Sequence, residues 1–374
     1  MSLNREHDRP VGLCDVVPSA LAALGVSGFQ NRLCLEPARH VVVLLIDGLG
    51  SEQLRMAAAD APFLASMQNA DSDPRNLLAS IPTTTPANLA SLGMGELPGV
   101  HGIVGASFWL PDFESLLSPL KWGSEPSPAA VQPELTLFEQ AERLGVRVTT
   151  LSGAAYAHSG LTQSVLRGGT YVPVAEIEDR VAQLMLVDAQ AGPSLTYMYW
   201  AEHDKIGHVH GVGSAQWRAS LRGVDNLAER AFSALASGAT MVLTSDHGMV
   251  NAKIDTTQVV EDDDRLMESV TMIAGEPRAR LVYVRAGAVF DVAQSWREVL
   301  GDRVEVFTRA DLVSSRLLGE VDPMLEGRLG DLLVLARGDF GLASRSDARV
   351  SALQGQHGSR TLDEISIPGL VLQR

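Results

Sequence analysis

The run HVVVLLIDGLG constrains this chain more than any other segment, because residues 41–46 are unbroken valine, leucine and isoleucine. A strand that is apolar on both faces must be covered on both, which is the habit of parallel sheets flanked by helices. Strand-like runs recur at 147–151, 195–200 and 240–244. Helical patterns lie between and around them at 18–24, 51–60, 86–92, 135–144, 176–189 and 214–235. This alternation predicts an α/β fold with a mostly parallel central sheet and helices on both faces. No internal repeat is evident. With 374 residues the chain is long enough for one large domain carrying an insertion, or for two domains, and can bury a substantial core.

Two stretches break the rhythm. Residues 109–133 are rich in proline, serine and aromatic side chains and read as a long ordered loop or lid. Residues 278–342 hold strand-like RLVYV, VEVFT and DLLVLA around short helical pieces and read as an inserted α+β subdomain. The expected organisation is an N-terminal extension over 1–39 packing on the core, a catalytic α/β core over 40–277 and 343–374, and the insertion between. The acidic run 261–264 lacks the spaced oxygen ligands and glycine of a calcium loop and reads as a solvated turn.

Composition bounds the function. Hydrophobic residues make up 45% and charged residues 20%, the balance of a globular enzyme. A formal charge of −15 repels a polynucleotide backbone, so a nucleic acid polymer is not an expected partner. A small anionic substrate then needs local positive charge, which bound cations supply. No apolar stretch is long enough for a membrane span, and the polar start MSLNREHDRP lacks a signal-type core, so no membrane partner and a cytoplasmic location are expected. Cys14 and Cys34 are too few for a disulfide scaffold or a thiolate zinc site.

The chemistry resides in scattered aspartates and histidines. Asp47 follows the apolar strand, where open parallel sheets gather ligands, though an Asp there also caps turns. Asp204 and His208 are four apart, so on a helix both face one side and can grip one cation. His203 and His210 project differently and read as surface or supporting residues. Asp246 and His247 follow the strand-like MVLTS, with Gly248 expected to leave room for an ion. His357 stands between Gly355, Gln356 and Gly358, a backbone more suited to a ligand than to packing. Three aspartates and three histidines suit zinc, with manganese as the other ion for such a nitrogen and oxygen set. Thr85 precedes Pro86 and is predicted as the N-cap of a helix, where a metal-activated hydroxyl becomes a nucleophile.

Taken in order, Asp47, Thr85, Asp204 with His208, Asp246 with His247, and His357 resemble the nucleotide pyrophosphatase/phosphodiesterase branch of the alkaline phosphatase superfamily. The resemblance runs from about 41 to 359. It implies an alkaline-phosphatase-like core in which one zinc is held by Asp47, Asp246 and His247 and also binds Thr85, while Asp204, His208 and His357 hold the second. It further implies attack by Thr85 on phosphorus and a phospho-threonine intermediate released by water. In LPGVHGIVGAS, Ala106 stands where the family has an asparagine touching a non-bridging phosphate oxygen. Asn88 is a candidate to replace that donor, and Trp109, with Phe108 and Trp122, a candidate to stack on the leaving group.

The expected function is hydrolysis of small phosphate diesters or nucleotide pyrophosphates. Alternatives on the same metal site are a phosphomonoesterase and a phosphonoacetate-type hydrolase. The absence of an arginine cluster favours diesters. A sulfatase lacks the context for its modified nucleophile, and an inactive metal-stabilised binding protein is opposed by the complete ligand set with Thr85. Leaving group and oligomeric state are beyond what one sequence specifies.

Overall fold

The computed structural model describes residues 9–68 and 75–374, so the start of the expected 1–39 extension, residues 1–8, lies outside the described residues. Its main sheet contains β1 (His40–Ile46), β2 (Arg75–Leu78), β5 (Arg147–Ser152), β6 (Thr170–Pro173), β7 (Ser194–Trp200), β8 (Ala239–Thr244) and β15 (Ser366–Gln373). The order across the sheet is β2-β15-β8-β1-β7-β5-β6. The strands β8, β1, β7, β5 and β6 are mutually parallel, and β15 runs antiparallel to both β8 and β2.

The apolar run of β1 divides by its period of two. Val41, Val43 and Leu45 enter one buried cluster with Leu89 and Ala90 of the helix Thr85–Met94. Val42, Leu44 and Ile46 enter another with Trp217, Leu221, Val224 and Ala228. That second set is a stripe at helical spacing along Ala215–Ala234, so helices do cover both faces. Between Gly12 and the start of β1, Leu13, Val16, Val17, Ala20 and Leu21 join the first cluster.

A second, antiparallel sheet is built from β10 (Val270–Glu276), β11 (Ala279–Val284), β12 (Val304–Thr308) and β13 (Leu332–Ala336), in the order β10-β11-β13-β12. The expected boundary at 278 falls inside the β10–β11 hairpin, whose strands pair continuously from Met272 to Glu276. Leu281 and Leu333 face the main core, while Val282, Val334 and Trp296 of the helix Val289–Leu300 form a third cluster. Short strands β3 (Phe108–Leu110) and β4 (Ser115–Leu117) make a hairpin inside the proline-rich stretch. Two more, β9 (Val250–Asn251) and β14 (Gly355–Gln356), pair antiparallel beside the site described next. Glu261 of the acidic run accepts from Ser344 Oγ and Arg345 N, and Asp263 caps the short helix after it. Among the described residues no helix is long and apolar enough to cross a membrane.

Candidate active site

Three adjacent parallel strands deliver most of the site. Asp47 is the first residue beyond β1, Ser245, Asp246 and His247 follow β8, and the helix Glu202–His210 begins two residues beyond β7. Leu49 N donates to Ser245 Oγ at 3.0 Å and Gly48 N to Asp246 Oδ1 at 3.2 Å, tying the ends of β1 and β8 together. Gly48 takes a positive φ of 74°, and a Cβ there would lie 2.9 Å from Asp204 Oδ1. Only glycine lets the turn after β1 meet the helix that carries Asp204.

Two donor triplets result. Asp47, Asp246 and His247 each offer a ligand atom within 4.8 Å of the others, and Asp204, His208 and His357 do the same. The rings of His247 and His357 stack at 3.7 Å between centroids, so the triplets adjoin. Each histidine is oriented through its Nδ1: His208 on Gly355 O at 2.7 Å, His357 on Thr83 O at 2.8 Å, and His247 on Gly248 O at 3.1 Å. Donation from Nδ1–H leaves Nε2 as a lone pair directed inward. His208 Nε2 and His357 Nε2 then oppose each other at 3.3 Å. Two lone pairs at that distance call for a cation between them.

The carboxylates make the same demand. Asp47 Oδ1, Asp204 Oδ1 and Asp246 Oδ2 are buried without a hydrogen-bond partner among the described residues. Burial above all, then Asp246 and Asp204, holds the Asp47 carboxyl well above the usual range, against the opposing donation of Tyr199 Oη to its Oδ2. Asp204 is likewise raised, chiefly by burial. Such a cluster of orphaned oxygens and imidazole nitrogens fits divalent ions that accept mixed nitrogen and oxygen donors.

Thr85 is not the N-cap expected of it. That position is Thr84, whose carbonyl accepts Asn88 N at 3.1 Å, and Thr85 is the first helical residue. Its hydroxyl is therefore not spent on capping and lies 3.1 Å from His247 Nε2.

Other expected residues fall elsewhere. Asn88, a candidate phosphate donor, is fully buried and commits its amide to Ser80, Pro82 and Thr84, so it builds the turn before Thr85 and is not free for the donor role expected of it. Ala106 is half-buried and does not border the cavity beside the triplets. Trp109 sits on β3 with its backbone N bonded to Tyr283 Oη, Phe108 is in the core, and Trp122 packs under Gly160, so none of these aromatics stacks at the site. His203 is not at the surface but fully buried against Trp217, its pKa lowered to about 4 by burial, whereas His210 is exposed. Gly248 makes room for the Asp363 carbonyl, 1.9 Å from where its Cβ would be, and not for an ion.

The cavity measures about 300 Å³ and opens beside Asp47, Thr85, Asp204 and His208. Its walls include Leu89, Leu161 and Leu166, together with Pro119 and Leu120 from the proline-rich stretch. Tyr156, Tyr171, Tyr197, Tyr199 and Lys205 also border it. Sequence reasoning missed these tyrosines, although the alternation in SLTYMYW puts Tyr197 and Tyr199 on one face of β7.

Residues 41–360 match the family model described as type I phosphodiesterase / nucleotide pyrophosphatase, which covers most of the chain. The chain belongs to that family. It is accordingly a hydrolase of the phosphodiesterase and nucleotide pyrophosphatase kind, within the alkaline phosphatase-like superfamily. The family is metal-dependent, and the two triplets are this member's candidate metal-binding groups. Among solved structures, murine ectonucleotide pyrophosphatase/phosphodiesterase 5 matches with a TM-score of 0.69 and 19% identity over 88% of this chain and 87% of that one. An inactive form of the murine protein, with a threonine replaced by alanine and AMP bound, matches with a TM-score of 0.69 at 18% identity, over the same shares. The human protein matches at 0.68 and 18%, again over 88% and 87%. These likenesses show that the fold is shared.

Proposed function

We propose that this family member hydrolyses small phosphate diesters or nucleotide pyrophosphates with Thr85 Oγ1 as the attacking atom, on a pair of divalent cations, zinc with manganese as the other suitable ion. The observation that carries this reading is the Thr85 hydroxyl, freed from capping and held 3.1 Å from His247 Nε2 beside six inward-facing ligand atoms. The murine relative inactivated by a threonine-to-alanine change and binding AMP supports the same reading.

Asp47, Asp246 and His247 would hold one ion, and Asp204, His208 and His357 the other. Bound there, the ions supply Lewis-acid polarisation of the phosphoryl oxygens and a lowered hydroxyl pKa. The remaining work belongs to the chain. Tyr199 orients Asp47 by hydrogen bond. The helix Thr85–Met94 presents its positive end to the charge that develops on the transferred phosphoryl group. Thr85 Oγ1 loses its proton and bonds to phosphorus as the opposite P–O bond breaks, its electron pair leaving with the departing oxygen, which takes up a proton or leaves as an anion. Water then adds to phosphorus and breaks the threonyl O–P bond, and its proton restores the Thr85 hydroxyl. The apolar cavity wall next to Thr85 favours a substrate with an organic arm, hence a diester or a pyrophosphate over a bare monoester. The deciding experiment compares bis-p-nitrophenyl phosphate with p-nitrophenyl phosphate, for the native protein and Thr85→Ala. A strong monoester preference removes the diester assignment, and undiminished turnover in the variant removes Thr85.

A further inference from the structure

The floor of the cavity carries a polar group that the hydrolytic machinery leaves unused. Tyr197 borders the cavity, is 2% exposed, and has no hydrogen-bond partner for its hydroxyl among the described residues. Two positions along the same face of β7, Tyr199 is spent on Asp47. Tyr197 therefore lies about 7 Å further from the site end of the strand. Its register partner Thr150 on β5, paired in turn with Tyr171 on β6, extends the same floor away from the metal ligands. Packing against Phe138 at 5.8 Å and Tyr199 at 6.3 Å fixes the ring.

Resting on the phosphodiesterase reading above, we propose that Tyr197 Oη is a specificity-determining donor that reads an uncharged hydrogen-bond acceptor on the organic arm of the substrate. The acceptor is a carbonyl, ether or hydroxyl oxygen, or a ring nitrogen. A pure hydrocarbon arm would leave the hydroxyl unpaired in a closed space, which is unfavourable. An anionic arm finds no balancing charge at that depth. Lys205, the one lysine or arginine bordering the cavity among the described residues, is engaged by Glu202 at 2.7 Å, and the nearest charges include the carboxylates of Asp47 and Asp246. Burial first, then those carboxylates, keeps the phenol protonated and so a donor. The cavity volume limits the arm to about the size of a nucleoside or smaller.

Tyr197→Phe removes the hydroxyl and keeps the ring. On p-nitrophenyl thymidine 5′-phosphate, whose base bears carbonyl acceptors, kcat/KM is expected to fall about tenfold, mainly through KM. On p-nitrophenyl phenyl phosphate it is expected to stay within about twofold. Equal losses on both substrates, or none on the thymidine ester, overturn the proposal. Calorimetric binding of thymidine 5′-monophosphate and phenyl phosphate to Thr85→Ala, with and without Tyr197→Phe, separates the two levels of inference. Selective weakening of the nucleotide without any turnover by the native protein upholds the role of Tyr197 and removes the hydrolytic reading. Intact turnover without selectivity removes the role of Tyr197 alone. Failure of both ligands to bind overturns it as well.

Discussion

Thr85 joins the proposed chemistry through one oxygen that the fold does not otherwise need. Thr85→Ala should therefore lower kcat by at least about 10³-fold while shifting the melting temperature little, because the cap is Thr84. A steady-state assay beside a thermal melt checks both parts, and a large loss of stability would return Thr85 to a structural role. Tyr199 acts through Asp47, so Tyr199→Phe should weaken metal binding by about 10–100-fold, measurable by competition with a chelator. The raised carboxyls of Asp47 and Asp204 set a pH dependence. A carboxyl whose folded pKa is raised contributes stability fully present below the unfolded value, near about 4, and lost as pH rises through the folded value. The metal-free protein should thus lose stability from mildly acidic toward neutral pH. The gain in melting temperature on adding zinc or manganese should grow over that same interval, since the ion replaces those protons. A gain independent of pH would mean that ions bind elsewhere. The two candidate metal-binding triplets could be picked out because each member follows a strand-like run or lies beside glycine. The tyrosines, Asn88 and Trp109 were not, because their roles depend on which face of an element meets the cavity.

Among the elements, the turn after β1 is the most demanding. Gly48→Ala sets a Cβ against Asp204 at a positive φ, so a loss of about 1–2 kcal/mol in urea unfolding is expected, with a larger loss of metal affinity. Unchanged affinity would show that Asp204 is not held by this turn. Strands β1, β5, β7 and β8 could be read from sequence because they are rich in β-branched, aromatic and other apolar residues and their neighbours are helical. Strand β15 could not, since Pro368 and Gly369 interrupt it, and the pairing with β8 and β2 overrides local preference. Strand β6 is only TYVP, too short to carry a period.

For the whole molecule, one buried link between the second sheet and the segment leading into β15 is Arg278, which precedes β11 and binds Glu364 through two bonds of 2.7 and 2.9 Å, with both side chains fully buried. Glu364 also accepts Ser359 N at 3.0 Å, two residues beyond His357. Arg278→Met should cost about 3–5 kcal/mol by leaving a buried charge unpaired, and should loosen the loop that carries His357. Equilibrium denaturation and metal titration measure the two effects, and a near-neutral result in both would detach this ion pair from the site. The strands of the second sheet from β11 onward were visible in the sequence as a change of rhythm, whereas β10 was not, because VTMIAGE lacks a clean alternation.

The four-stranded sheet also lies, along the chain, between His247 and His357. During synthesis the ribosome makes five of the six candidate ligand side chains, then the four-stranded sheet, and only afterwards the last imidazole. A growing polypeptide can assemble the first triplet early, while the second stays one donor short until that late segment emerges.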